Sequence, residues 1–136
     1  ADRGHRVVGV DIDPLLIEAA RADHPGATWL VADLSRLDLP ALGETEPFDG
    51  AMIVGNVMDF VPPERQASVI ERLAAHLRPD AFLVVGSRVD RGFTPGVLDA
   101  ALPGAGLALE QRFSTYDLHP WHAGAGFCVS IARRQG

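Results

Sequence analysis

The order of apolar runs and helical segments along the chain is the feature that most restricts its fold. Four short apolar runs, at residues 6–10, 28–32, 49–54 and 81–86, have the length and composition typical of buried strands. Segments with helical spacing of apolar residues lie between several of them. Strands that alternate with helices predict an α/β protein whose strands form a parallel sheet with right-handed crossovers.

The predicted helices begin at prolines. Asp13 precedes Pro14, and this pair combines a favourable capping side chain with a favourable first helical residue. The longest helix follows Pro63. Its predicted buried face consists of Ala67, Ile70, Leu73, Ala74 and Leu77.

The last two predicted strands differ from the others, because no helix separates residues 107–115 from residues 127–133. Such strands pair as an antiparallel hairpin. The predicted fold is therefore a doubly wound, mostly parallel sheet that ends in an antiparallel hairpin. With 136 residues, of which 47% are hydrophobic, the sequence predicts one domain over residues 1–136.

Composition excludes several classes of function. All 12 basic residues are arginine, so no lysine of this chain can bind a nucleotide phosphate, form a Schiff base or serve a Tyr-x-x-x-Lys pair. The net charge of −6 opposes binding to a nucleic-acid backbone, so no nucleic-acid partner is expected.

The cysteine and histidine patterns add further expectations. The single cysteine, Cys128, cannot form an internal disulfide, which favours a reducing, cytoplasmic location. The five histidines lack metal-ligand spacing, so no metal is expected. No apolar stretch approaches the length of a membrane span, so no membrane partner is expected either.

Two aspartates end the first two predicted strands. The carboxyl ends of such strands are where sheets of this kind bind ligands. Asp11 is placed to accept both hydroxyls of a ribose, and Asp33 is placed to accept from an exocyclic amine. Ile12 can press on the base. The pattern therefore predicts a nucleoside site.

The sequence resembles the class I S-adenosylmethionine-dependent methyltransferases over essentially its whole length. The similar segments are VGVDIDP at 8–14, VADL at 31–34, FDGAMIVGNVM at 48–58, LRPD at 77–80 and the final strand pair. The resemblance implies a Rossmann-like fold and S-adenosylmethionine as cofactor. It also implies roles for the strand-end residues: Asp11 at the ribose, Asp33 at the adenine amine, the Leu34 amide at the ring, and Gly55 and Asn56 under the methionine part.

The resemblance further implies methyl transfer to a small molecule. The candidate residues on the acceptor side are Asn56, Asp59, Arg91, Trp121 and His122. Residues 56–59 lack the motif of DNA amino-methylating enzymes, which argues against DNA as the acceptor. Two alternatives stay open: an NAD-dependent oxidoreductase, and a non-catalytic remnant that acts as an interaction domain.

The start of the sequence departs from the family pattern, because no glycine-rich loop precedes Asp11. We therefore expect a domain incomplete at its N-terminus, lacking the central strand and impaired in cofactor binding. The expected strand order is 3-2-(gap)-4-5-7-6 in the family's numbering. We expect the gap to be closed by direct pairing of its two flanking strands or by a neighbouring molecule, through a homo-oligomer or strand exchange.

Overall fold

The computed structural model describes residues 4–54 and 57–136, which form an α/β structure. The strands are β1 (Val8–Asp11), β2 (Thr28–Val31), β3 (Phe48–Ile53), β4 (Leu77–Arg88), β5 (Leu107–Phe113) and β6 (Phe127–Arg134). The α-helices are α1 (Pro14–Asp23), α2 (Pro63–Ala75) and α3 (Pro95–Ala101). Short 3₁₀ helices lie at Leu34–Arg36, Pro40–Leu42, Val57–Phe60 and Pro103–Ala105.

The strands form two separate groups. β1 and β2 pair in parallel, and β3, β4, β6 and β5 form a four-stranded sheet in that order. β3 is parallel to β4, whereas β6 is antiparallel to both β4 and β5. The predicted terminal hairpin and the predicted neighbours of each strand are therefore confirmed.

β1 and β3 do not pair with each other in the described part of the chain, so the predicted gap is present. Direct pairing, one of the two expected ways of closing the gap, is wrong for this single chain. The side chain of Arg6 connects the starts of the two strands instead. Its guanidinium lies 4.0 Å from the centroid of the Phe48 ring and donates to the carbonyl of Glu46 at 2.9 Å and to Glu44 Oε2 at 3.1 Å.

The core lies between one face of the four-stranded sheet and the helices α2 and α3. Leu83 and Val85 of β4 meet Val69 and Ile70 of α2 and Leu98 of α3, and each of these side chains is at most 1% exposed. A buried sheet face against two helices is the packing expected of this fold class.

The predicted buried face of α2 is partly wrong. Ala67 is exposed. Leu77 is buried as predicted, at 1% exposure, but it lies in β4, since the helix ends at Ala75. The helix buries Gln66, Val69, Ile70 and Ala74. The apolar periodicity did not predict that Gln66 is buried, because glutamine is polar. Its side-chain amide donates to the carbonyl of Val61 at 3.2 Å, so the buried amide has a hydrogen-bond partner.

The opposite face of the same sheet is exposed at β3 and β4. Met52 is 61% exposed and Phe82 is 39% exposed. The β3–β4 register puts Gly50 beside Phe82, and a Cβ on Gly50 would overlap the Phe82 ring. The absence of a side chain on Gly50 therefore leaves room for the Phe82 ring on the open face of the sheet.

Candidate functional site

Asp11 and Asp33 come together at one end of the β1–β2 pair. Asp11 is in register with Val31, so Asp33 lies two residues beyond it on the neighbouring strand. Strand spacing and rise put the two Cα atoms about 8 Å apart. The amide of Ala32 donates to the Asp11 carbonyl at 3.0 Å, which continues the parallel pairing up to Asp33.

Both aspartates are held in the same way. Asp11 Oδ1 accepts from the amide of Asp13 at 2.9 Å, and Asp33 Oδ1 accepts from the amide of Ser35 at 2.9 Å. The Ser35 hydroxyl also donates to Asp33 Oδ1, at 2.7 Å. These local turns fix each carboxylate by one oxygen and direct no backbone bond to its Oδ2. Within the described residues, neither Oδ2 accepts a hydrogen bond.

The start of α1 is capped without Asp11. Asp13 caps α1 by accepting from the amide of Leu15 at 2.9 Å, and Pro14 is the first helical residue, as the sequence predicted. Because Asp13 satisfies the helix start, Asp11 is not needed there.

The surroundings of Asp33 favour the charged form of its carboxyl group. The hydrogen bonds from the Ser35 hydroxyl and amide lower the pKa of Asp33, and the positive charge of Arg65 lowers it further. Arg65 Nη1 lies 3.9 Å from Asp33 Oδ2. The carboxyl is thus ionised at neutral pH and accepts from amines or hydroxyls.

The first turn of α2 lies at the same end of the β1–β2 pair. Arg65 is in the first turn of α2, the helix that follows β3, and its approach to Asp33 brings this turn beside the end of the β1–β2 pair. Contacts between α2 and the 3₁₀ helix Leu34–Arg36 have the same effect. The helix that follows β3 therefore packs beside Asp33.

The remaining predicted cofactor residues differ in exposure. Ile12 is 67% exposed beside Asp11, as a residue that presses on a base would be. Leu34 is half-buried and its side chain packs against the core. Gly55 and Asn56 lie outside the described residues.

The predicted acceptor-side residues lie in three segments. Asp59 is half-buried in the 3₁₀ helix Val57–Phe60. Arg91 is exposed in the loop after β4, while half-buried Trp121 and exposed His122 are in the β5–β6 loop. The amide of Val89 donates to the Gly126 carbonyl at 3.2 Å, which joins these two loops at the carboxyl end of β4.

Two aromatic residues near this region were missed by the sequence analysis. Tyr116 packs on Phe127 with ring centroids 5.5 Å apart, and a Cβ on Gly86 would overlap its hydroxyl. Phe60 is 86% exposed beside Asp59. A glycine inside the apolar run of β4 was the one signal in the sequence for the close approach of Tyr116.

Among residues 4–54 and 57–136, no group of three or more histidine, cysteine or acidic side chains is arranged to hold a metal ion. In the same residues, no helix has both the length and the apolar character that crossing a bilayer requires.

The parallel β1–β2 pair and the mixed sheet packed against helices define an α/β domain. The chain belongs to the S-adenosylmethionine-dependent methyltransferases, since a family model described as "Methyltransferase domain" matches residues 1–80. S-adenosylmethionine is the cofactor that defines this family. The family, the fold and the cofactor predicted from the sequence are confirmed at this level.

Solved structures with a similar fold agree with this family assignment. A TehB-like SAM-dependent methyltransferase from Corynebacterium glutamicum is 32% identical, with a TM-score of 0.89 over 99% of this chain and 71% of that one. The CcbJ methyltransferase from Streptomyces caelestis is 16% identical, with a TM-score of 0.84 over 99% of this chain and 77% of that one. The second likeness concerns the fold alone. No protein with a curated description matches the sequence.

A third structure contains ligands. The 1,6-didemethyltoxoflavin-N1-methyltransferase of Burkholderia thailandensis, solved with 1,6-didemethyltoxoflavin and S-adenosylhomocysteine, is 23% identical. Its TM-score is 0.67 over 99% of this chain and 64% of that one. This likeness also concerns the fold alone.

Proposed function

We propose that the chain holds the adenosyl end of S-adenosylmethionine with Asp11 and Asp33 and takes part in methyl transfer to a small molecule. One observation carries the proposal: two ionisable carboxylates at neighbouring strand ends, each fixed through Oδ1 by the amide two residues later. Asp11 would accept from the ribose hydroxyls and Asp33 from the adenine amine. Ile12 would cover one face of the base, and Gly55 and Asn56 would pass under the methionine part.

The chain's contribution to the reaction would be positioning. The cofactor supplies an electrophilic methyl group on a sulfonium, and the protein aligns an acceptor with it. Asp59, Arg91, Trp121 and His122 are the proposed acceptor-side residues. The net charge of −6 supports a small molecule over a nucleic acid as the acceptor. The single cysteine, which is buried, supports a cytoplasmic location.

Cofactor binding by residues 1–136 alone would be weak. The sequence has no glycine-rich loop before Asp11 to donate backbone amides to the methionine carboxylate. The edges of β1 and β3 are also unpaired with each other in the described residues. We propose that a further strand, from a second copy of the chain or from additional polypeptide, fills this gap and strengthens binding.

A binding experiment separates this function from its alternatives. Chemical-shift titration of the ¹⁵N-labelled chain with S-adenosylhomocysteine and with NAD detects binding into the millimolar range. We expect saturable shifts with S-adenosylhomocysteine only. Saturation by NAD alone would favour an oxidoreductase, and saturation by neither would favour a non-catalytic remnant.

Asp11→Ala tests the ribose assignment in the same titration. Removing this carboxylate acceptor should weaken S-adenosylhomocysteine binding by about 1.5–3 kcal/mol. Glu18→Ala, which removes an exposed carboxylate from α1, is the matched control and should leave affinity unchanged. An equal affinity of the Asp11 variant and the parent chain would refute the assignment.

Asp33→Asn tests the adenine assignment. Asparagine keeps the size and the local turn but replaces one acceptor oxygen with a donor amide. Adenosyl ligands should therefore bind more weakly, while the melting temperature without ligand should change little because asparagine also caps well. Equal destabilisation with and without ligand would make Asp33 a structural residue.

A further inference from the structure

Arg65 stands out among the arginines near the strand ends. It is in the first turn of α2, its side chain is 49% exposed, and its Nη1 lies 3.9 Å from Asp33 Oδ2. That distance is too long for a hydrogen bond. Within the described residues the guanidinium makes no hydrogen bond, so its five N–H donors remain available beside the carboxylate.

The ion pair by itself does not account for this placement. Exposed pairs of this kind contribute little to stability. Asp33 is already fixed by the amide and hydroxyl of Ser35, which are the largest causes of its lowered pKa. Arg65 is therefore not needed to orient or ionise Asp33, and it adds hydrogen-bond donors at the side of Oδ2.

A carboxylate acceptor next to a guanidinium donor matches one edge of adenine. That edge presents the 6-amino group as a donor and N7 as an acceptor, and the amide side chains of asparagine and glutamine recognise it with the same donor–acceptor pair. We infer that Arg65 is a specificity-determining residue that donates to adenine N7 while Asp33 accepts from the 6-amino group. This inference rests on the adenosine site proposed above.

The inference is compatible with a backbone contact from the neighbouring turn. Leu34 is the first residue of the 3₁₀ helix Leu34–Arg36, and the first amides of a helix have no partner within it. This amide would meet the other edge of the ring. Adenine would then be recognised from both sides of its amino group.

A comparison of adenosine with 7-deazaadenosine tests the role of Arg65. The two nucleosides differ at one ring position, where a C–H replaces the N7 acceptor. Chemical-shift titration of the ¹⁵N-labelled chain gives both dissociation constants. Neither nucleoside has a methionine part, so the comparison does not depend on the methionine end of the site. We expect the parent chain to bind adenosine about 3- to 10-fold more tightly than 7-deazaadenosine.

Three variants distinguish hydrogen bonding from charge. Arg65→Met should abolish the preference for adenosine, and Arg65→Lys, which keeps a donor, should retain part of it. Arg36→Met is the matched control because Arg36 also acts on Asp33 through its charge, to a smaller extent. This variant should keep the preference of the parent chain.

The outcomes separate the inference from the proposed function. A preference that is absent in the parent chain, or unchanged in Arg65→Met, overturns the role of Arg65. The adenosine site is still supported after such a result, provided that adenosine binds and Asp33→Asn weakens adenosine binding. Failure of both nucleosides to saturate the chain overturns the role of Arg65 together with the adenosine site.

Discussion

At the residue scale, the turn before the apolar part of β4 contains a strained position. Asp80 has a φ of 66°, in the left-handed region that favours glycine. The residues here are Pro79, Asp80 and Ala81, so a residue other than glycine occupies the left-handed position. Aspartate tolerates this conformation better than most residues, and Arg133 Nη1 donates to the Asp80 carbonyl at 2.5 Å. The surrounding contacts therefore hold the residue in an unfavourable backbone state.

Asp80→Gly should stabilise the chain. Glycine removes the left-handed penalty but loses more conformational entropy on folding, so the expected net gain is about 0.5–1 kcal/mol. Asp80→Ala should instead destabilise, because alanine lacks the local hydrogen bonding that helps aspartate in this region. Urea denaturation of the three proteins gives the free energies of unfolding. A destabilised glycine variant would contradict the strain argument.

Individual residues also show which parts of the structure could be predicted from the sequence. The capping role of Asp13 followed from local chemistry alone, because a helix start depends on neighbouring residues. The positions of Arg65 beside Asp33 and of Tyr116 over Gly86 join residues distant in sequence. Periodicity and capping rules contain no information about such contacts.

At the element scale, α2 shows how far an apolar pattern determines a buried face. The helix contains Ile70 at 0% exposure and half-buried Leu73 packed against the core, and the sequence predicted both on the inner face. Ala67 was also predicted there and is exposed. Alanine is compatible with either side of a helix, and a buried glutamine hides the true periodicity. The sequence therefore predicted which side of α2 is buried, but not which residues lie at the limits of the buried side.

Ile70→Ala should cost about 2–5 kcal/mol of unfolding free energy, because it removes a fully buried side chain and leaves a cavity among well-packed neighbours. Ala67→Ser on the exposed side of the same helix should change stability by less than about 0.5 kcal/mol. Thermal and urea unfolding of the pair give the comparison. Similar losses in both variants would mean that the helix packs by a different face.

At the scale of the whole molecule, the sheet is interrupted between β1 and β3. The order of the strands on each side was predictable from the family resemblance and from right-handed crossovers. How the chain would respond to the gap was not predictable, because pairing across it depends on competing long-range packing. In the described residues Arg6 connects the starts of the strands, while their edges stay unpaired with each other.

The interrupted sheet should make the chain self-associate. Unpaired strand edges accept strands from other molecules, and exposed apolar surface beside them favours contact. Met52 combines both features, since it lies on β3 and its side chain is 61% exposed on the open face. Sedimentation velocity should show an average mass that rises above 14.5 kDa as concentration increases.

Met52→Glu should shift this association to higher concentration, because a negative charge next to the β3 edge must be desolvated and repels its counterpart in a second copy. Leu15→Glu is the matched control, since Leu15 is 74% exposed but lies on α1, away from β3. If a second copy supplies the missing strand, S-adenosylhomocysteine should also bind more tightly as protein concentration rises, and Met52→Glu should remove that dependence. A chain that stays monomeric at millimolar concentration, or a control that acts as strongly as Met52→Glu, would contradict association through the β3 edge. In that case turnover by residues 1–136 should stay undetectable at every concentration.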